Sequence, residues 1–112
     1  MSFDLTARSD ESLSKSVPFG EAARIVAMVL GETPDESTGY TLEQGDDVLM
    51  QISLESEEFD YDDPGPPAEI DRIEFNIPYG YIGGLDRCVA VALRIANGLD
   101  WELYDPQRDE VF

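Results

Sequence analysis

Histidine is absent from this 112-residue sequence, which therefore lacks the side chain that most often serves as a general base near neutral pH. Cysteine occurs once, as Cys88, so no disulfide can form within the chain. The apolar neighbours of Cys88 indicate a buried thiol, which suits a reducing compartment. One cysteine without histidine also argues against a zinc site. We expect neither a metal nor a cofactor.

Basic residues are scarce. The chain contains seven Lys and Arg and 25 Asp and Glu, which gives a formal net charge of -18 at pH 7. A chain with this charge repels polyanions, so nucleic acid and anionic membrane surfaces are poor partners. A basic protein surface is the natural partner, because opposite fields steer and speed an encounter.

Long apolar runs are missing as well. No stretch approaches the roughly 20 residues of a membrane span. The start of the chain, Met1 to Thr6, lacks the charged and apolar regions of a signal peptide, so the cytoplasm is the expected location. Hydrophobic residues make up 42% of the chain, a share typical of a folded protein. The length predicts a single domain over residues 1–112.

Alternating and helical patterns predict the elements of the first half. Phe3 to Ala7 alternates as a short strand. A helix follows, with Ser16 as its expected N-cap, and ends before Gly31. Tyr40 to Gln44 and Val48 to Leu54 then read as two strands joined by a hairpin turn.

The second half continues with a strand, a helix and a strand. Ile70 to Ile77 alternates, and Leu85 to Leu99 carries an apolar stripe at helical spacing. Trp101 to Tyr104 is the expected last strand, broken by Asp105-Pro106. The order β-α-β-β-β-α-β predicts an α+β fold: a mostly antiparallel sheet of about five strands with both helices on one face.

An acidic segment between the third and fourth expected strands surrounds two aromatic residues. It can be a solvated loop, or a docking surface in which aromatic anchors are ringed by steering charge. A calcium loop is a third possibility, although the EF-hand spacing is missing. The candidate partner-binding residues here are Glu55, Glu57, Glu58, Phe59, Asp60, Tyr61, Asp62 and Asp63.

A glycine- and tyrosine-rich loop, residues 79–84, precedes the second helix. Such a turn can cradle phosphate, but the lysine and hydroxyl residue of a P-loop are absent. A tight connection between strand and helix is the simpler interpretation. Tyr79 and Tyr81 are nevertheless candidate interface residues.

Two stretches at the chain ends carry a family resemblance. Met1 to Leu5 forms the opening strand, and Arg94 to Gln107 contains a helix ending in Ile-Ala followed by a strand ending in Tyr-Asp-Pro. This pattern resembles small bacterial immunity proteins, the cytoplasmic antidotes encoded beside interbacterial toxins, including type VI secretion effectors. The resemblance implies an acidic protein that binds a toxin's basic active-site face, and it assigns no individual site residue.

We therefore expect a non-enzymatic inhibitor that occludes the active site of a cognate toxin acting on nucleic acid, a nucleotide or NAD. Two alternatives stay open. A nucleic-acid mimic would present carboxylates at phosphate-like spacing over a continuous face. A small enzyme or enzyme subunit would place a carboxylate in a concave pocket.

Overall fold

The computed structural model describes residues 2–10, 15–31, 39–44, 47–56, 68–78 and 85–112. The elements in chain order are β1 (Ser2–Arg8), β2 (Val17–Pro18), α1 (Phe19–Leu30), β3 (Gly39–Gln44), β4 (Asp47–Glu55), β5 (Glu69–Ile70), β6 (Arg72–Pro78), α2 (Leu85–Gly98), β7 (Glu102–Asp105) and β8 (Glu110–Val111). The α+β class predicted from the sequence is confirmed.

The main sheet has six strands in the order β3-β4-β6-β1-β7-β8, and every neighbouring pair is antiparallel. This exceeds the expected number of strands by one, because β8 extends the sheet beyond β7. The short strands β2 and β5 pair with each other in a separate two-stranded sheet. Strand β1 lies between β6 and β7, so the first strand of the chain and a strand from its C-terminal part are neighbours in the sheet.

Alternation along the strands buries one face of the sheet. On β6, Ile73, Phe75 and Ile77 are buried, whereas the side chains between them are partly exposed. The same alternation holds on β1, where Leu5 and Ala7 are fully buried. The buried apolar side chains form one cluster between the sheet and the helices. Burial of apolar area drives the assembly of these layers.

Both helices pack on this buried face and against each other. Helix α1 buries Ala22, Ala23 and Val26, and α2 buries Ala92 and Ala96. The predicted placement of two helices on one face is therefore confirmed.

The predicted start of α1 is wrong. Pro18 occupies the N-cap position, and no side chain caps the helix, so Ser16 does not have the expected role. The preceding residues are extended because Val17 and Pro18 pair with Ile70 and Glu69. Proline fits this boundary, since its fixed φ suits the residue that enters a helix and it has no N–H to satisfy.

The prediction for the C-terminal part of the sheet is incomplete, because it omits the strand β8. Asp105-Pro106 begins a turn that leads into β8 rather than ending the strand order. The Asp105 carboxylate makes this turn, because its Oδ1 accepts the backbone N–H groups of Gln107 at 3.0 Å and Arg108 at 3.4 Å. An Asp side chain that binds the backbone ahead of it is a common way to stabilise a turn.

The β3–β4 hairpin contains a β-bulge, and a hydrogen bond from α2 reaches this bulge. The register moves from Leu42 opposite Met50 to Glu43 opposite Val48, which leaves Leu49 without a partner on β3. Extra residues of this kind disrupt the ladder locally. The Cys88 thiol donates to the Leu49 carbonyl oxygen across 3.5 Å. The single cysteine therefore has a structural contact at the bulge.

Candidate interaction surface

Most of the candidate residues chosen from the sequence lie outside the described residues. This applies to Glu57, Glu58, Phe59, Asp60, Tyr61, Asp62, Asp63, Tyr79 and Tyr81. Their proposed role in partner binding therefore stays a prediction. Only Glu55 of the original set is described.

Glu55 is the last residue of β4 and is partly buried. The Ser53 hydroxyl donates to Glu55 Oε1 at 2.7 Å, which fixes the carboxylate along the strand. The Glu55 carbonyl oxygen accepts the backbone N–H of Asp71 at 3.1 Å. This bond joins the last residue of β4 to the residue before β6. Glu55 is thus a fixed part of the sheet rather than part of a loop.

Described residues hold both ends of the acidic segment. Ser56 is buried immediately before residues 57–67, and Ala68 follows them. The Ala68 carbonyl oxygen accepts the Phe19 N–H at 2.9 Å, where α1 begins. The N-terminal end of a helix carries a partial positive charge that favours nearby carboxylates. The segment therefore begins and ends at the corner where β4, β6 and α1 meet.

Outward side chains cover the face of the main sheet on which no described helix packs, and we call this the open face. Cross-strand register aligns its residues in rows. One row contains Thr41, Gln51, Asn76 and Asp4; the next contains Gly39, Ser53, Glu74, Thr6, Tyr104 and Val111; the third contains Glu55, Arg72, Arg8 and Glu102.

The third row places two arginines opposite each other, with a glutamate on each side. Arg8 and Arg72 are register partners, an arrangement that is repulsive by itself. Arg8 Nε lies 3.5 Å from Glu102 Oε2, and the Arg8 guanidinium stacks 3.9 Å from the centre of the Tyr104 ring. A cation over an aromatic face is attracted by the ring quadrupole. These contacts direct Arg8 towards β7.

Arg72 is paired with carboxylates of its own strand and of the residue before it, and not with β7. Its Nη1 donates to Asp71 Oδ1 at 2.8 Å, and its Nε lies 3.4 Å from Glu74 Oε1. The other oxygen of Glu74 accepts the Thr6 hydroxyl at 2.9 Å. Each arginine is thus paired with carboxylates, and neither adds an uncompensated positive charge to the open face.

Two further hydrogen bonds fix polar groups of the open face. Asn76 donates to Asp4 at 2.7 Å, and the Tyr104 hydroxyl donates to Asp109 Oδ1 at 2.5 Å. Side chains that already sit in one geometry lose less conformational entropy when a partner binds. The open face is therefore a prearranged polar surface.

Charge differs between the two sides of the molecule. The open face carries two arginines and five carboxylates, namely Asp4, Glu43, Glu55, Glu74 and Glu102. The helices together contain three arginines, Arg24, Arg87 and Arg94, but only two of the 25 carboxylates, Glu21 and Asp86. The helices are therefore less acidic than the open face.

The Cys88 thiol is not placed to act as a nucleophile. Its side chain is fully buried on α2. Burial raises the pKa of the Cys88 thiol, and the nearby Arg87 only partly opposes this effect. A buried thiol with a raised pKa is a poor nucleophile. Within the described ranges, no cluster of three or more His, Cys, Asp or Glu is arranged to hold a metal ion.

Sequence reasoning missed the open face. Its outward residues follow directly from strand alternation, but they come from six strands, several of which are distant from one another along the chain. Arg8 and Arg72, for example, meet only because β1 pairs with β6. The available signal was the alternation of charged residues on β6, which was used to orient the strand and not to search for a surface.

Comparison with known proteins gives no relative: no family model matches the chain, and no curated protein matches it. In the part of the chain that the structure describes, no helix has both the length and the apolar character needed to cross a membrane.

Proposed function

We propose that this protein is an inhibitor of the immunity type, which binds a cognate bacterial toxin in the cytoplasm and blocks its active site. The net charge of -18 is the observation that carries the proposal. A toxin that acts on nucleic acid, a nucleotide or NAD must attract phosphate, and its active-site face is therefore basic. Opposite fields accelerate the meeting of two such proteins and orient it.

The fixed polar groups of the open face support binding over catalysis. Carboxylates such as Glu74 and Glu102 are already hydrogen-bonded or ion-paired, yet each carboxylate can accept about four hydrogen bonds. A partner's Lys or Arg can therefore bind without displacing the existing contacts. Charge-assisted bonds of this kind are among the stronger polar contacts at interfaces.

The arginines on the open face favour a protein partner over the mimicry of nucleic acid. A mimic needs a continuous negative face, whereas Arg8 and Arg72 sit side by side at one end of the two central strands, β1 and β6. Tyr104 adds an aromatic side chain beside them. Mixed charges with an aromatic group are typical of protein–protein interfaces.

The acidic segment remains part of the proposal as a predicted contact. Removing a buried, paired carboxylate from such an interface costs about 2–5 kcal/mol of binding free energy, whereas a carboxylate at the rim mainly affects the association rate. Neutralising Glu57, Glu58, Asp60 and Asp62 together should therefore weaken binding and reduce its salt dependence. Unchanged affinity would remove this segment from the interface and leave the inhibitor function open.

The direct experiment uses the protein encoded by the adjacent gene. Coexpression should protect cells from that protein, and the purified pair should form a stable complex in which the toxin's activity is lost. A variant of the toxin without catalytic activity serves as the control for binding. If the neighbouring protein is harmless, or if it stays active and unbound in the presence of this chain, the proposed function is wrong.

A further inference from the structure

We infer that the basic partner docks on the open face of the main sheet and that the exposed side of the two helices faces away from it. This inference rests on the proposed function and specifies its surface. It depends only on described residues, so it is independent of the acidic segment at residues 57–67.

The open face is accessible to a partner. Both helices pack on the opposite face of the sheet, and among the described residues no element lies over the outward side chains. Antiparallel sheets commonly leave one face towards solvent. A flat face of several strands offers room for an interface of ordinary size.

Charge complementarity selects a protein surface rich in Lys and Arg as the occupant. Five carboxylates on the open face outnumber its two arginines, and both arginines are ion-paired. The helices carry the reverse excess, with Arg24 and Arg94 exposed and no described carboxylate within ion-pair distance of either. A basic partner is attracted more strongly by the first side than by the second, so the encounter is oriented.

Tyr104 and Val111 supply an anchor at one end of the open face. They are register partners on β7 and β8, and Val111 is 55% exposed. The Tyr104 ring is held between the Arg8 guanidinium and the Asp109 carboxylate. Tyrosine and arginine are both enriched among the residues that contribute most of the binding energy at interfaces.

Two matched double variants test this orientation. Gln51→Lys with Val111→Lys adds two positive charges to the open face. Met28→Lys with Ala90→Lys adds the same charge to the helices, where Met28 is 70% exposed. All four side chains are exposed, and the two variants change the net charge equally. Thermal unfolding of each variant verifies that the fold is retained.

Affinity for the catalytically inactive toxin is then measured for each variant by titration. The open-face variant should bind at least tenfold more weakly than the wild type, because two lysines face a basic surface. The helical variant should stay within about threefold, the change expected from net charge alone. Equal weakening by both variants, or a larger effect from the helical variant, overturns the inference. If the wild type itself does not bind, the proposed function has failed instead.

Discussion

Gly98 lies directly against Ile25 where α2 ends beside α1. A Cβ atom added at Gly98 would come within 2.9 Å of Ile25 Cγ2. This methyl group branches from Cβ and cannot rotate away freely in a helix. The absence of a side chain at position 98 therefore permits the observed contact between the two helices.

Gly98→Ala should destabilise the protein by about 1–3 kcal/mol, because the new methyl group overpacks the contact with Ile25. The loss should exceed the gain of about 1 kcal/mol that alanine offers over glycine in a helix. Chemical denaturation measures the change. In the background of Ile25→Ala, which removes Cγ2, Gly98→Ala should become neutral or stabilising. An equal penalty in both backgrounds would show that the close approach is not the cause.

The thiol of Cys88 should resist modification in the folded protein. It is buried, its pKa is raised by burial, and it donates to the Leu49 carbonyl oxygen. A thiol-specific reagent at neutral pH should react only after unfolding by denaturant. Rapid reaction without denaturant would contradict the placement of Cys88 against the bulge.

Alkaline pH should weaken the fold through the same thiol. Because the folded pKa of Cys88 lies above the unfolded one, folding favours the protonated form. Its contribution to stability is complete below the unfolded pKa and is lost as the pH rises through the folded pKa. The decline in unfolding free energy above the ordinary thiol pKa should be smaller in Cys88→Ala. If the unfolding free energy of Cys88→Ala fell as steeply with pH as that of the wild type, groups other than Cys88 would cause the loss of stability at alkaline pH.

The two oxygens of Asp105 have different roles, which predicts different effects for two substitutions. Oδ1 accepts two backbone N–H groups in the turn. The buried Oδ2 has no hydrogen-bond donor among the described residues and lies 3.8 Å from Arg108 Nε. Asp105→Asn keeps an oxygen for the turn, and Asp105→Ala removes it. We expect the alanine variant to lose about 1–3 kcal/mol of stability and the asparagine variant to lose less. Denaturant midpoints measure both, and a reversed order would refute the role of Oδ1.

Salt should stabilise the isolated protein. A net charge of -18 produces repulsion within the folded chain, and counterions screen it. Raising sodium chloride from about 20 to 300 mM should increase the melting temperature by about 5 °C. Calcium chloride at the same ionic strength is the control for the calcium alternative. A much larger increase with calcium would indicate a specific site, and no increase with either salt would contradict dominant repulsion.

The regular elements could be predicted because their patterns are local. The alternation of Ile73, Phe75 and Ile77 identified β6, and the apolar stripe of α2 identified that helix. Glycine after α1 was recognised as its end, and Gly31 does adopt the left-handed conformation with φ 75°. Short-range sequence determines such features, so no knowledge of the fold was required.

Features that depend on distant contacts could not be predicted. The pairing of Val17 with Ile70 excluded Ser16 from capping α1, and no local signal encodes that pairing. The bulge at Leu49 and the rows of the open face depend on register across several strands. The candidate site follows from the net charge and from local runs of acidic and aromatic residues, and only Glu55 of its residues lies in the described part of the chain.

The association rate with the protein encoded beside this one tests the central claim most directly. It can be measured by stopped-flow mixing between about 50 and 500 mM salt. If attraction between an acidic surface and a basic toxin brings the two proteins together, the rate constant should fall at least tenfold over this range, while the dissociation rate changes far less. A rate constant that does not depend on salt, or that increases with it, would contradict the account.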